Sequence, residues 1–396
     1  MQEGAERLQP PWFLLLFALA AGGCWIAYVP LLSVLLPEQI TGLVGEGDVS
    51  ALAQATFIGA IFASLSAILW GWLSDLSGVR LPWIVGGLIL SNALLLAMGV
   101  ANTFSELMAC IIAWQVALNM MLAGLFAWAG DCFPDSQKGL LGGAFALAPA
   151  MGALSGSLVT FEALVGEEYR LATVAALVAV LVMPVVLLGR GRVRAELMQD
   201  VSSREADALP HDRTTVVRMW IARFFVQLAV AGLFAFLLYW LRSLSPDIHE
   251  NYAANIYCAV LLVSVPVALW AGRWSDRRAR PMAPLWLSAL VTAVGLVGMA
   301  VSDGMALAVA GYVVFSVASA IFLALHTGQT LRVLPRPSRR GRDMGIFNLT
   351  NTLPSMVMPW LTLSLVPQFG FTALFGLFAG FAAVAAVLLA TISTRD

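Results

Sequence analysis

Long apolar runs, separated by short polar stretches, set the pattern of this chain. They fall at 12–34, 50–72, 82–101, 106–129, 140–161, 170–188, 218–241, 252–272, 283–301, 305–330, 344–366 and 371–392. About 20 apolar residues cross the hydrocarbon core of a bilayer as a helix, so the pattern predicts an all-α membrane protein of twelve transmembrane helices. Six precede the polar stretch 189–217 and six follow it. The expected organisation is an N-terminal half 1–188, a linker 189–217 and a C-terminal half 218–396. The first run follows Glu3, Glu6 and Arg7 rather than a basic head. It is too long for a signal-peptide core and lacks a small-residue cleavage site, so it reads as the first retained span.

The basic residues give this count an orientation. With the N-terminus in the cytoplasm, nineteen of the 22 lysines and arginines fall in cytoplasmic segments. Arg170 and Arg242 fall outside, and Arg223 lies within a helix. Acidic residues show no such bias, as the positive-inside rule expects. Adding or removing one helix would scramble the segregation, so both termini are expected in the cytoplasm.

Composition agrees with the pattern. The chain is 60% hydrophobic and 11% charged, whereas a soluble domain carries about 25% charged residues. Its net charge of −1 gives no sign of nucleic-acid affinity. Cys24, Cys110, Cys132 and Cys258 are scattered, with neither metal-ligand spacing nor a disulfide framework. There is no HExxH, nucleophile elbow or phosphate-cradling glycine loop. No enzyme activity, catalytic residue, metal or cofactor is expected.

One motif occurs twice. Gly-x-x-Ser-Asp begins at Gly71 and again at Gly272, 201 positions apart, each time closing the second helix of a six-helix half. Such duplication is the architecture of many secondary transporters. Gly71, Leu73, Asp75, Gly78 and Arg80 resemble the loop 2–3 signature of the major facilitator superfamily, Gly-x-Leu-x-Asp-x-x-Gly-Arg-Arg. The second copy keeps Gly272, Asp276, Arg277 and Arg280 but carries Ala279 in place of glycine. Leu76 and Val79 stand where the pattern usually carries charge, which points to a weaker relay in the first copy. A glycine lets helices approach closely, and the aspartate can meet a facing helix N-terminus or a cytoplasmic arginine. The alternative is an aspartate that merely caps its own helix end in water. Within the superfamily, Gly345, Asn348, Asn351, Leu353 and Pro354 resemble the eleventh helix of bacterial facilitators related to sugar–cation symporters and plant sucrose–proton symporters. The stretches 81–87, 119–139, 222–228 and 237–241 are similar to that group as well.

Few polar residues fall inside the spans, and each is a candidate. Gln115 and Asn119 share a face of helix 4, where they can bind substrate hydroxyls or bond to neighbouring helices. Arg223 and Gln227 share a face of helix 7; Arg223 lies roughly 8 Å inside the cytoplasmic end and is shallow enough to snorkel. His326 is the only histidine in a span and stands where the resembling family carries an aspartate. It titrates near neutral pH, so it is a candidate for a coupling proton alongside Arg223, or a neutral ring bonded to backbone. Asn348 and Asn351 complete a polar set in the second half. Trp25 and Tyr28 can stack on a substrate ring or simply pack. Gly152 and Gly156 form a close-contact face on helix 5. Pro149 and Gly152 partly resemble an exporter signature, although Ala148 and Ala153 replace two of its glycines. Glu106, Glu162 and Asp131 all sit at helix ends, so no carboxylate reaches mid-bilayer.

The resulting expectation is a multi-pass transporter of a bacterial inner membrane, working as a monomer by alternating access. Its partners would be a small polar solute, such as a sugar or glycoside, and a proton. Proton-driven export of an amphipathic compound and a non-transporting membrane scaffold are the alternatives.

Overall fold

All of those apolar runs are helical in the computed structural model, which describes residues 8–45, 49–161, 164–189, 213–245, 250–278, 280–334 and 339–392. A helix satisfies its own backbone hydrogen bonds within one segment, as the water-free core of a bilayer demands. In chain order the helices are α1 (Pro11–Val44), α2 (Val49–Ser77), α3 (Leu81–Met98), α4 (Phe104–Cys132), α5 (Asp135–Val159) and α6 (Arg170–Leu188). Then come α7 (Arg213–Leu244), α8 (Glu250–Arg277), α9 (Ala283–Ala300) and α10 (Met305–Val333). The last helical stretch, Arg340–Ala390, is broken at Gly370, whose φ of 71° and ψ of 179° are open essentially to glycine alone. The break separates α11 (340–369) from α12 (371–390). Among the described residues there are thus twelve helices and no strand, and ten stretches are long and apolar enough to cross a membrane.

Of the expected linker, 190–212 lies outside the described residues, and 213–217 already forms the first turn of α7. In α1 the ladder widens to a π-helical segment, Leu31–Leu35, where the Leu36 N–H reaches back five residues to the Leu31 carbonyl. Pro30 and Pro37 flank this segment, and Pro37 has no N–H to donate.

The helices form two compact units. One holds α1 to α4, α5 from Leu147, α6, and the start of α11 as far as Leu349. Its core includes Phe13, Phe17, Trp128 and Phe133, packed edge-on and stacked at centroid distances of 5.3–5.6 Å. The other unit holds Asp135–Ala146 of α5, α7 to α10, α11 from Thr350, and α12. There Phe225 stacks on Phe381 at 4.7 Å and Trp240 meets Phe375 edge-on at 4.9 Å. Both helices that divide between the units do so near a proline. The Ala146 N–H bonds only three residues back, to Gly143, and Pro149 follows. In α11, Pro354 leaves the Thr350 carbonyl without its helical donor.

Candidate functional site

The two Gly-x-x-Ser-Asp copies make the same contact, one in each unit. In the first unit, the Asp75 carboxylate accepts the N–H of Gly341 at 2.9 Å and of Arg342 at 2.8 Å, in the first turn of α11. In the second, Asp276 accepts the N–H of Gly139 at 3.1 Å and of Leu140 at 2.8 Å, in the first turns of α5. The opening N–H groups of a helix have no partner within it, and the helix dipole favours a negative charge there. Asp75 therefore caps the start of α11, whereas Asp276 meets N–H groups in the second turn of α5. The glycines make this approach possible. A Cβ at Gly71 would strike the Gly341 backbone, and one at Gly272 the Gly139 backbone.

The arginines differ between the copies. Arg80 lies in the turn before α3, where Gly78 takes a φ of 66°. Its guanidinium donates to Asp75 at 2.7 Å, to Ser74 Oγ at 2.8 Å and to Asp131 at 3.0 Å, while Arg340 donates to the other Asp131 oxygen at 2.6 Å. Two arginines and two aspartates thus form a neutral network with side chains no more than 6% exposed. Burial works against the Arg80 charge, but Asp131 and then Asp75 outweigh it and hold the guanidinium above its ordinary value. Leu76 and Val79 bring no charge to the first copy, and the network draws its charges from Arg80, α4 and α11.

In the second copy, the Arg277 and Arg280 side chains are exposed and stand apart from Asp276. Arg332, at the end of α10, takes that place and donates to Asp276 at 3.1 Å. It also donates to the Asp135 carbonyl, while Lys138 pairs with Asp135 and donates to the Leu331 carbonyl at 3.1 Å. Asp276 lies four residues beyond Gly272, past the apolar run. Burial raises its carboxyl above the ordinary aspartate value, against the pull of the Leu140 N–H, Arg332 and the Gly139 N–H. A signal in the sequence could have revealed Asp131 and Arg332 together: they are 201 positions apart, the same offset as Asp75 and Asp276.

The polar residues within the helices fall into two groups. In the first unit, Gln115 and Asn119 are buried; Asn119 donates to the Gln115 carbonyl at 2.8 Å, and Asn348 reaches Asn119 Oδ1 at 3.5 Å. Gln115 Oε1 has no partner among the described residues. Trp25 and Tyr28 are exposed, and Tyr28 stacks on Trp114. Gly152 lies against Trp25 and Val29, but a side chain at Gly156 would meet open space, so the close-contact face expected of α5 reduces to one glycine. Glu106 serves the start of α4, where its N–H bonds Thr103 Oγ1 and its carboxylate accepts the Asn102 N–H. Glu162 and Ala279 lie outside the described residues.

In the second unit, Arg223 donates to Thr327 Oγ1 at 3.2 Å and to the Leu323 carbonyl and Asn351 Oδ1 at 3.3 Å; it lies 3.4 Å from His326 Nδ1. It is held by α10 and α11 groups rather than reaching for its own helix end. His326 is fully buried. Its Nε2 lies 3.0 Å from the Met219 carbonyl, and its Nδ1 3.0 Å from Thr330 Oγ1. A carbonyl only accepts and a guanidinium only donates, so this arrangement fits a neutral ring with its proton on Nε2. Gln227, one turn beyond Arg223, is half-buried, and its Oε1 has no partner among the described residues. No group of three or more metal-ligating side chains occurs among the described residues.

Among known proteins, the family model of the Major Facilitator Superfamily matches residues 13–336 and 219–396. None of the curated proteins matches the sequence. A bacterial homologue of the iron transporter ferroportin, solved outward-facing with soaked iron, aligns with a TM-score of 0.74 at 15% identity, over 98% of this chain and 100% of that one. The human organic anion transporter MFSD10 aligns at 0.71 and 16% identity, over 96% and 100%. The proton:xylose symporter XylE aligns at 0.68 and 14%, over 95% and 94%. At these identities the likeness shows the fold alone.

Proposed function

We propose, from the premise that this chain belongs to the Major Facilitator Superfamily, that it is a secondary active transporter moving a small polar solute by alternating access, coupled to a proton. On this reading twelve helices cross a bacterial inner membrane with both termini in the cytoplasm. The halves 1–188 and 218–396 rock against each other about a midplane site, and the monomer suffices. The observation that carries the reading is the pair of motif carboxylates that accept backbone N–H groups, Asp75 from α11 and Asp276 from α5. Each ties a motif at the end of a second helix to a helix of the opposite half of the sequence through two backbone N–H groups. A permanent scaffold has no need of such a contact twice.

Gln115, Asn119, Asn348, Asn351 and Gln227, with Trp25 and Tyr28, are the proposed solute contacts. The resemblance favours a sugar or glycoside, and a proton:xylose symporter is among the structural neighbours. His326 is the proposed proton carrier. Its Nδ1 accepts from Thr330 and faces the Arg223 guanidinium. A proton can land on Nδ1 only when those donors turn away, so protonation and guanidinium position exclude each other.

The test is uptake into proteoliposomes with the interior alkaline, over neutral sugars, glycosides and sugar acids. At least one solute should accumulate above protein-free vesicles. His326→Gln should abolish accumulation while leaving counterflow exchange intact. Wild-type accumulation by the variant would move the proton site elsewhere.

A further inference from the structure

Arg223 differs from four other arginines that are buried or half-buried in the described chain. Arg80, Arg170, Arg332 and Arg340 each face a carboxylate at 2.6–3.1 Å. Arg223 is half-buried, roughly 15 Å along α7 from its first residue. No carboxylate among the described residues lies within ion-pair distance of it; its partners are a carbonyl, an imidazole, a hydroxyl and an amide. Those contacts are also slack, at 3.2–3.4 Å. Charge-assisted bonds close to about 2.7–2.9 Å, as Arg80 to Asp75 does at 2.7 Å.

A guanidinium cannot shed its charge to relieve burial. Removing a cation from water without a counter-charge is costly, and the chain could have supplied an acid where Thr327 or Asn351 stands. It supplies neutral acceptors instead, and the terminal nitrogen NH2 ends on Asn351, an exposed residue. One turn further along the same face, Gln227 presents an Oε1 without a partner, which a hydroxyl donor would satisfy.

We propose that the transported solute is a small hydroxylated anion, its acidic oxygens seated on the Arg223 guanidinium and a hydroxyl on Gln227 Oε1. This rests on the transport reading above and narrows its substrate class from polar solutes to those bearing an anionic oxyacid group. Carboxylate and phosphate share that chemistry, and a planar guanidinium binds either through two parallel N–H donors. Pairing with the solute draws Arg223 from His326 Nδ1, which frees that nitrogen for a proton.

The experiment measures calorimetric binding to the purified full-length protein. The probes are D-glucuronate and D-glucose 6-phosphate, with D-glucose and methyl glucoside as neutral counterparts. At least one acid should bind ten or more times tighter than either neutral sugar. Arg223→Gln should erase that preference and Arg223→Lys keep part of it. Asn351→Asp, which places a carboxylate at an atom already bonded to Arg223, should weaken acid binding about tenfold without removing the arginine. Neutral sugars binding as tightly as the acids, no binding of either acid, or full acid binding by Asn351→Asp and Arg223→Gln would each overturn the proposal. Proteoliposome uptake separates the two readings. Uptake of neutral sugars without acid preference overturns the anion site but leaves transport standing. Arg223-dependent acid binding without uptake in either direction retains the site and removes transport.

Discussion

Asp131 is a carboxylate at 1% exposure in a membrane-protein helix, and it survives there because Arg80 and Arg340 each take one of its oxygens. Removing one member of a buried ion network costs about 3–5 kcal/mol, mostly from the charge left unpaired. Asp131→Asn is therefore expected to destabilise the purified protein by that order, read as a fall in its unfolding temperature. Arg277→Gln, at an exposed side chain, should change stability by no more than about 0.5 kcal/mol. Equal effects of the two would mean that the Asp131 network is not a structural unit. At this scale the sequence showed which residues were chemically unusual but not how they would pair. Arg223 and His326 stood out as ionisable groups in apolar runs, yet their separation of 103 positions says nothing of a 3.4 Å approach. Arg277 looked equivalent to the signature arginine, but which arginine meets Asp276 depends on where α10 ends.

Helix positions were almost wholly legible, because twenty apolar residues without a charge have few other uses. Helix ends were less so. The run expected to stop at 129 continues as α4 to Cys132, and that expected to stop at 330 continues as α10 to Val333. In both cases a charged residue, Asp131 or Arg332, is paired rather than solvated and so does not mark the end. The motif glycines carry the element-scale prediction. A side chain at Gly71 meets the Gly341 backbone, and overpacking of this kind costs roughly 1–3 kcal/mol. Gly71→Val should therefore weaken the seating of α11 on α2. A cysteine replacing the buried Ser74 should then react with a soluble maleimide at least fivefold faster than in the Gly71 background. Unchanged labelling would show that α11 sits equally well without the glycine.

Across the whole molecule, the 201-residue repeat accounts for both the doubled fold and the doubled contact. Asp75 caps α11 and Asp276 accepts two N–H groups of α5, so each motif is joined to a helix from the opposite half of the sequence. The supporting charges are not copied. Asp75 belongs to a four-charge network, whereas among the described residues Arg332 alone pairs with Asp276. The central proposal is that these two contacts break and re-form during transport. Its most direct test is the distance distribution between nitroxide labels on the two motif turns, at the exposed positions Val79 and Arg277, by double electron–electron resonance. Asp75→Asn combined with Asp276→Asn should move the wild-type distance distribution to longer values. A single distribution, identical in the wild type and the double variant, would contradict the account.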